Sequence, residues 1–124
     1  MNDCIFCKII NKELPADVVY EDGNVLAIKT IAPVSEGHTL VIPKSHHENI
    51  LDIDQLALTD VMNVTRQLAP KLKDQHGATG INLLHAAGKD AQQSVFHFHL
   101  HIVPRYENDG LDLWFKSGIE KKEA

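Results

Sequence analysis

The chain has 124 residues, of which 44 % are hydrophobic and 23 % charged, a composition typical of one globular domain and unlike a disordered or collagenous chain. Twelve basic residues against seventeen acidic ones give a formal net charge of −5, which leaves no basic field for a nucleic-acid backbone. We therefore expect no nucleic-acid partner. Most of its eight histidines fall within residues 38–47 and 85–101, the first indication of a chemical site.

The N-terminal residues contain two cysteines and short apolar pieces. Cys4 and Cys7 form a C-x-x-C pattern, whose spacing is too short to staple a fold but suits the binding of one metal ion. A short helix is predicted over Phe6 to Asn11. The apolar pieces match neither a signal peptide nor a membrane span, so we expect a cytoplasmic protein with no membrane partner.

Five β-branched or apolar runs predict the strands of one sheet. They are Val18 to Tyr20, Val25 to Ile28, Thr39 to Ile42, Gly80 to Leu84 and Val95 to Val103. The first two runs are separated by an Asp-Gly-Asn sequence at residues 22–24, which favours a hairpin turn and antiparallel pairing.

A longer helix is predicted over Asp54 to His76. Its apolar residues follow helical spacing and Gly77 offers a C-terminal cap, while Pro70 predicts a kink near Arg66 to Pro70. The apolar positions are Leu58, Val61, Met62, Leu68, Ala69 and Leu72. No repeat or linker divides the chain, so one domain is expected, with a solvated end at Lys121 to Glu123.

Three histidines alternate with apolar residues in the last predicted strand. His97, His99 and His101 occupy odd positions between apolar even positions, so a strand would bury one face and present three imidazoles on the other. An imidazole is a nucleophile, an acid or base, or a metal ligand near neutral pH. The pattern therefore indicates catalysis or metal binding without choosing between them.

The segment His97-Phe98-His99-Leu100-His101-Ile102-Val103 resembles the signature of the histidine-triad (HIT) nucleotide hydrolases and transferases. Residues 4–10, 37–44 and 93–95 are similar to the small nucleotide-binding HIT proteins in the same order. The resemblance implies an α+β, HIT-like fold: a five-stranded antiparallel sheet with one long and one short helix, which continues across a homodimer. We expect a single HIT domain over 1–124, with a zinc-binding segment 1–12, a core 13–106 and a tail 107–124.

The resemblance also implies catalytic roles. His99 is expected to be the nucleophile that attacks the α-phosphorus, its ring oriented by the backbone carbonyl of His101. The His101 side chain would face the phosphate or leaving group, and His38 would orient the triad. Ser94 matches a residue that contacts the phosphate or the departing amine, and Gln93 is expected to hold that loop beside the nucleotide.

The nucleotide pocket is likewise implied by resemblance. Asn82 matches an asparagine beside the ribose and phosphate, and four apolar positions are expected to enclose a purine base: Phe6, Ile9, Ile28 and Ile31. Thr30 departs from the family, where an Asp accepts both ribose hydroxyls. Ile28 stands where an aromatic residue is common, which weakens stacking on the base.

Zinc-containing bacterial members imply a metal site of Cys4, Cys7, His46 and His97, a closed tetrahedral set that holds one structural zinc per chain. His47 is expected to face solvent, although a shift of one residue would make it the ligand instead of His46. The alternative is two buried thiols without metal. No organic cofactor is expected.

The leading hypothesis is a hydrolase of purine nucleoside phosphoramidates or related AMP conjugates. A dinucleoside polyphosphate hydrolase is the second reading, although it needs positive charge along a longer phosphate chain. A third reading is a nucleotide-binding or partner-binding module with negligible turnover. In a fourth, the triad holds a catalytic zinc, a reading that turnover insensitive to chelators would exclude.

Overall fold

The computed structural model describes residues 3–116 and has the expected α+β architecture. A five-stranded antiparallel sheet carries the order β1-β2-β3-β5-β4. The elements are α1 (Ile5–Ile10), β1 (Val18–Glu21), β2 (Val25–Lys29), β3 (Thr39–Pro43), α2 (Gln55–His76), β4 (Gly80–Leu84), a 3₁₀ turn (Lys89–Ala91) and β5 (Leu100–Arg105). The predicted solvated end at Lys121 to Glu123 lies outside the described residues.

The hairpin between β1 and β2 forms where the turn sequence predicts it. The Oδ1 atom of Asp22 accepts hydrogen bonds from the backbone N–H groups of Asn24 and Val25 at 2.7 and 2.8 Å. An aspartate that bonds the backbone two residues on is the usual reason for this residue in a turn. The hairpin therefore follows from local sequence.

The long helix α2 has the predicted ends. Asp54 caps its N-terminus by accepting from the N–H of Ala57 at 2.8 Å, and Gly77 ends it in the left-handed conformation with φ of 70°. The predicted apolar stripe is wrong at Met62, which is 42 % exposed, because the buried face is centred on Val61, Val64, Thr65, Leu68 and Leu72. The helix is continuous through Pro70, and the kink stays a prediction. No helix within residues 3–116 has the length and apolarity that a membrane crossing requires.

The two faces of the sheet bury different clusters. On one face, α2 packs its buried residues against Ala27, Val41 and Ile102. On the opposite face, α1 packs Phe6 against Leu26, Ile28, Leu40 and Ile42. Since Leu40 pairs with His101 across the β3–β5 ladder, His101 lies on the α1 face.

The last strand begins later than its alternating pattern predicts. Strand β5 starts at Leu100 rather than Val95, and Phe96 is 39 % exposed instead of packing in the core. The ladder to β3 ends at the Val41–Leu100 pair, and two residues farther along β3 stands Pro43, which has no N–H for pairing. His97 and His99 are therefore held outside the regular ladder, and only His101 of the triad lies in the strand.

Candidate functional site

The nucleophile candidate His99 has a ring fixed by backbone. Its Nδ1 lies 2.8 Å from the carbonyl oxygen of His97, and because a carbonyl only accepts, Nδ1 carries the proton. The Nε2 atom then keeps its lone pair. The prediction that the carbonyl of His101 accepts this bond is wrong. Residues 97–99 are not in regular strand conformation, so the His99 ring bonds the carbonyl of His97, two residues earlier.

His99 is also buried, and this keeps it neutral. Burial lowers the pKa of His99, while its hydrogen bond to His97 opposes the shift. Phe6 from α1 stands edge-on to the imidazole, with 5.1 Å between ring centroids. A neutral ring with one free lone pair in an apolar setting is suited to nucleophilic attack.

His38 and His101 form a hydrogen-bonded pair beside it. The N–H of Val34 donates to His38 Nδ1 at 3.1 Å, so the proton of neutral His38 is on Nε2, which donates to His101 Nδ1 at 2.9 Å. The proton of His101 is therefore on Nε2. The sequence-predicted role of His38, orienting the triad, agrees with this contact.

The charge state of His101 follows from its surroundings. Burial, followed by the neighbouring His99, His38 and His85, lowers the pKa of His101 to about 4. Burial alone lowers the pKa of His38. Both rings are thus neutral at pH 7, and His101 is a hydrogen-bond donor through Nε2 rather than a cation. The rings of His99 and His101 lie 5.1 Å apart.

Gln93 anchors the loop that precedes the triad. Its Oε1 accepts from Asn49 Nδ2 at 3.1 Å and from the Gly88 N–H at 2.8 Å, and its Nε2 donates to the carbonyls of Glu48 and Val95 at 2.7 and 3.0 Å. All four bonds go to the protein. The buried amide therefore holds the loop, and both of its polar atoms are used by protein groups instead of facing a ligand.

Ser94 is exposed on a cleft of about 430 Å³. The same cleft is lined by Cys4, His46 and Phe96, so it borders the cysteine and histidine cluster at the N-terminal segment. The Ser94 side chain is therefore accessible to solvent.

The expected base-enclosing residues divide into two groups. Phe6 and Ile28 are buried together on the α1 face, and Ile9 packs against them half-buried. Ile31, in contrast, is 97 % exposed and encloses nothing in the chain as described. Three of the four apolar positions thus pack in one cluster.

The two expected ribose and phosphate contacts are partly engaged by the protein. Thr30 Oγ1 accepts from the N–H of Ala32 at 3.2 Å. Asn82 Oδ1 accepts from Arg105 Nη1 at 2.9 Å, and Arg105 also pairs with Asp109. Asn82 lies on the same sheet face as His101, since its ladder partner is Val103.

Cys4, Cys7, His46 and His97 come together as the resemblance implies, with their ligand atoms all within 4.8 Å of one another. Cys7 Sγ lies 3.2 Å from His46 Nδ1 and 3.4 Å from His97 Nδ1, and the two Nδ1 atoms are 3.1 Å apart. Ligand atoms around a tetrahedral zinc are separated by about 3.3 to 3.8 Å. The donor set and its spacing therefore fit one zinc ion.

The surroundings of the cluster orient its ligands. The Nε2 of buried His97 donates to the carbonyl of Pro43 at 2.8 Å, which leaves the Nδ1 lone pair aimed at the cluster, as is usual for metal-binding histidines. Burial lowers the pKa of His97 to about 4, partly opposed by the bond to Pro43. The Sγ of Cys4 accepts from the N–H of Cys7 at 3.2 Å.

His47 stands outside the cluster. Its side chain is only 17 % exposed, with Nε2 3.8 Å from the Asp54 carboxylate and 3.0 Å from Ser45 Oγ. The prediction that it faces solvent is wrong, because the chain turns it toward the N-terminus of α2. His46 is the residue that joins the cluster.

One residue of the site has no counterpart in the sequence interpretation. His85 donates from Nδ1 to the carbonyl of His99 at 3.1 Å. Only the clustering of histidines in residues 85–101 pointed to it, because no spacing rule relates it to the triad.

Comparisons with known proteins identify the family. The HIT domain model matches residues 11–108. A HIT-like protein of Borreliella burgdorferi is 49 % identical over 120 residues, covering 95 % of this chain and 85 % of the relative.

Solved structures of HIT proteins are also similar to this chain. A zinc-bound histidine triad family protein from Mycobacterium smegmatis superposes with a TM-score of 0.83 at 38 % identity, over 98 % of this chain and 86 % of that one. A hypothetical histidine triad nucleotide-binding protein from Sulfolobus tokodaii gives a TM-score of 0.83 at 44 % identity, over 95 % of this chain and 78 % of that one. A HIT family hydrolase from Clostridium thermocellum gives 0.74 at 36 % identity, over 94 % and 97 %. Family model, relative and structures together establish that this chain belongs to the HIT family.

Proposed function

We propose that the protein is a nucleotide hydrolase that cleaves purine nucleoside phosphoramidates or related AMP conjugates at the α-phosphate. The observation that carries this proposal is the bond from His99 Nδ1 to the His97 carbonyl, because it leaves Nε2 as a fixed nucleophile. The nucleotide-binding and hydrolase relatives support the same reaction class.

In the first step, the Nε2 lone pair of His99 forms a bond to the α-phosphorus, and the bond from phosphorus to the leaving amine breaks. The amine takes one proton on the solvent side, where Ser94 is exposed. The Nε2–H of neutral His101 donates to a phosphoryl oxygen and stabilises the charge that develops there. The product of this step is a nucleotidyl-histidine.

In the second step, water attacks the same phosphorus, releases AMP and one proton, and restores His99. His38 acts through His101: it fixes the tautomer whose Nε2 is a donor. We assign the purine to the apolar cluster of Phe6, Ile9 and Ile28, and the sugar and phosphate to Asn82 and Thr30, as the resemblance implies.

We further propose that Cys4, Cys7, His46 and His97 hold one structural zinc per chain. Two thiolates and two imidazoles leave no coordination position for substrate. A bound zinc ion would therefore link α1 to the triad segment and would take no part in the reaction. The fit of the donor set and the zinc-bound relative support this role.

The assembly and location follow the same proposal. The described sheet has two edges, β1 and β4, and an edge strand is open to pairing with a second chain. We propose a cytoplasmic homodimer whose sheet continues through such an edge, with a purine nucleotide as ligand.

A dinucleoside polyphosphate is a poorer substrate candidate. Its longer phosphate chain requires free positive charge, but Lys44 is paired with Glu21 at 2.7 Å and Arg105 with Asp109 at 2.9 Å. These pairs favour the shorter AMP conjugate.

The test measures AMP and amine release from an adenosine phosphoramidate by wild type and His99→Ala. Loss of the nucleophile should lower kcat by several orders of magnitude while nucleotide binding and the circular dichroism spectrum persist. Wild-type protein without turnover, or a variant with near-normal turnover, would contradict the proposed reaction.

A further inference from the structure

The nucleophile residue lies in a segment without ladder support. Strand pairing of the triad segment begins at Leu100, and the last pair between β4 and β5 joins Leu84 to His101. The backbone carbonyl of His99 thus lies beyond the end of both ladders. A carbonyl in this position needs another donor if its residue is to be held rigidly.

His85, which directly follows β4, supplies this donor through its imidazole ring. The N–H of Ile50 donates to His85 Nε2 at 3.0 Å, so the proton of neutral His85 is on Nδ1. That N–H donates to the His99 carbonyl at 3.1 Å. Both ring nitrogens are used, and the tautomer is fixed by the backbone of the loop that leads from β3 to α2.

The ring of His85 is also fixed by packing. It stacks on Phe98, with 4.4 Å between centroids and an interplanar angle of 26°, and the Phe98 side chain is buried in the α2-side core. His85 therefore joins three parts of the molecule: the loop at Ile50, the core at Phe98 and the backbone of His99.

We propose that His85 is a positioning residue for the His99 nucleophile. The inference rests on the proposed function, in which His99 attacks the substrate. His99 is then held at two points: its ring by the carbonyl of His97, and its own carbonyl by the ring of His85. Loss of the second bond lets the residue shift, and a misplacement of about 1 Å costs up to about a hundredfold in rate.

The test is a matched pair of variants, His85→Gln and His85→Glu. Both keep an oxygen that accepts from the N–H of Ile50, but only the glutamine amide supplies a donor for the His99 carbonyl. With an adenosine phosphoramidate, we expect kcat of His85→Gln within about threefold of wild type, and that of His85→Glu about ten- to a hundredfold lower. KM should change less than threefold in either variant, because ground-state binding is untouched.

A second readout needs no substrate. In long-range ¹H–¹⁵N spectra, wild type and His85→Gln should show one fixed tautomer of His99, with its proton on Nδ1, whereas His85→Glu should show tautomer averaging. His85→Leu, which lacks both polar atoms, should resemble His85→Glu in kcat and in the His99 spectrum. Urea unfolding of each variant reports loss of stability separately from loss of rate.

The possible results distinguish the positioning role of His85 from the proposed hydrolase reaction. Equal kcat in the Gln and Glu variants, or a His99 spectrum unchanged in Glu and Leu, would overturn the positioning role even if both variants lose stability. If wild type shows no turnover, the reaction assignment fails, and the His99 spectra alone then decide whether His85 positions that ring.

Discussion

Proton placement on the ring nitrogens governs the site at the scale of single residues. Val34 fixes His38, His38 fixes His101, the His97 carbonyl fixes His99, and Pro43 fixes His97. Each imidazole is thereby given one donor and one acceptor nitrogen. His38 uses both of them in bonds to the protein, whereas the Nδ1 atom of His97 faces the other ligand atoms of the cysteine and histidine cluster. Such fixed orientation removes the reorganisation that a mobile imidazole would require during reaction.

Thr30 gives a prediction at this scale. Its single hydroxyl oxygen already accepts from Ala32, whereas a carboxylate would accept from both ribose hydroxyls with charge-assisted bonds. Wild type should therefore discriminate poorly between ribo- and 2′-deoxyribonucleotide phosphoramidates. Thr30→Asp should raise the ratio of kcat/KM values in favour of ribose by about tenfold or more, about 1.4 kcal/mol.

The control for that comparison is Thr30→Asn, which has the size of Asp without its charge. It should shift the ratio less than Thr30→Asp does. A strong ribose preference in wild type that neither substitution changes would show that another group holds the sugar.

At the scale of elements, the sequence predicts what local chemistry decides. Gly77 was predicted as the C-terminal cap of α2, the predicted start at Asp54 coincides with its N-cap, and the turn at residues 22–24 predicts the hairpin. The start of β5 was not predictable from alternation, because it depends on where the ladder to β3 ends, a tertiary property. His85 was missed for the same reason: its contact with His99 joins segments that only the fold brings together.

The short helix α1 depends on contacts outside itself. Its six residues are too few for an isolated helix to be stable in water, and it is held by Phe6 in the core and by Cys4 and Cys7 in the cluster. We therefore expect the zinc site to contribute to the stability of this end of the molecule.

The double variant Cys4→Ser, Cys7→Ser tests this contribution. Serine at residue 4 still caps the helix N-terminus, so the variant removes the thiolates and leaves the cap. Wild type should contain about one zinc per chain and the variant none. A chelator should lower the urea midpoint of wild type, since a metal at 100 times its dissociation constant adds about 2.7 kcal/mol, and should leave the variant unchanged. Zinc retained by the variant, or metal-free wild type, would contradict the assigned ligands.

At the scale of the whole molecule, the two faces of the sheet differ in composition: one buries only the main hydrophobic core, and the other also carries the candidate catalytic histidines. The face under α2 buries an apolar core, while the α1 face carries His38, His101 and Asn82 beside its smaller apolar cluster. These three polar residues thus share the α1 face of the sheet. Their burial has a consequence for the pH dependence of folding.

The titration of His101 makes the stability of the fold depend on pH. Burial lowers its pKa to about 4 in the folded protein, below the value near 6.5 expected for an unfolded chain. Because the unfolded state then binds the proton first, stability is independent of this group above about pH 7 and is lost as the pH falls from about 6.5 toward 4. The lowered carboxylate pKa values of Asp22 and Asp52 act below that window, as the pH falls through about 3.8.

The measurement is the free energy of unfolding in urea at pH 7.5, 6 and 5 for wild type and His101→Gln. Glutamine keeps an acceptor for His38 Nε2–H and does not titrate, so its stability should fall less steeply between pH 7.5 and 5. Both proteins keep the four proposed zinc ligands, so any loss of a bound metal ion with falling pH cancels in the difference between them. Equal slopes in the two proteins would show that His101 is protonated as readily in the fold as in the unfolded chain, and would contradict the lowered pKa of His101.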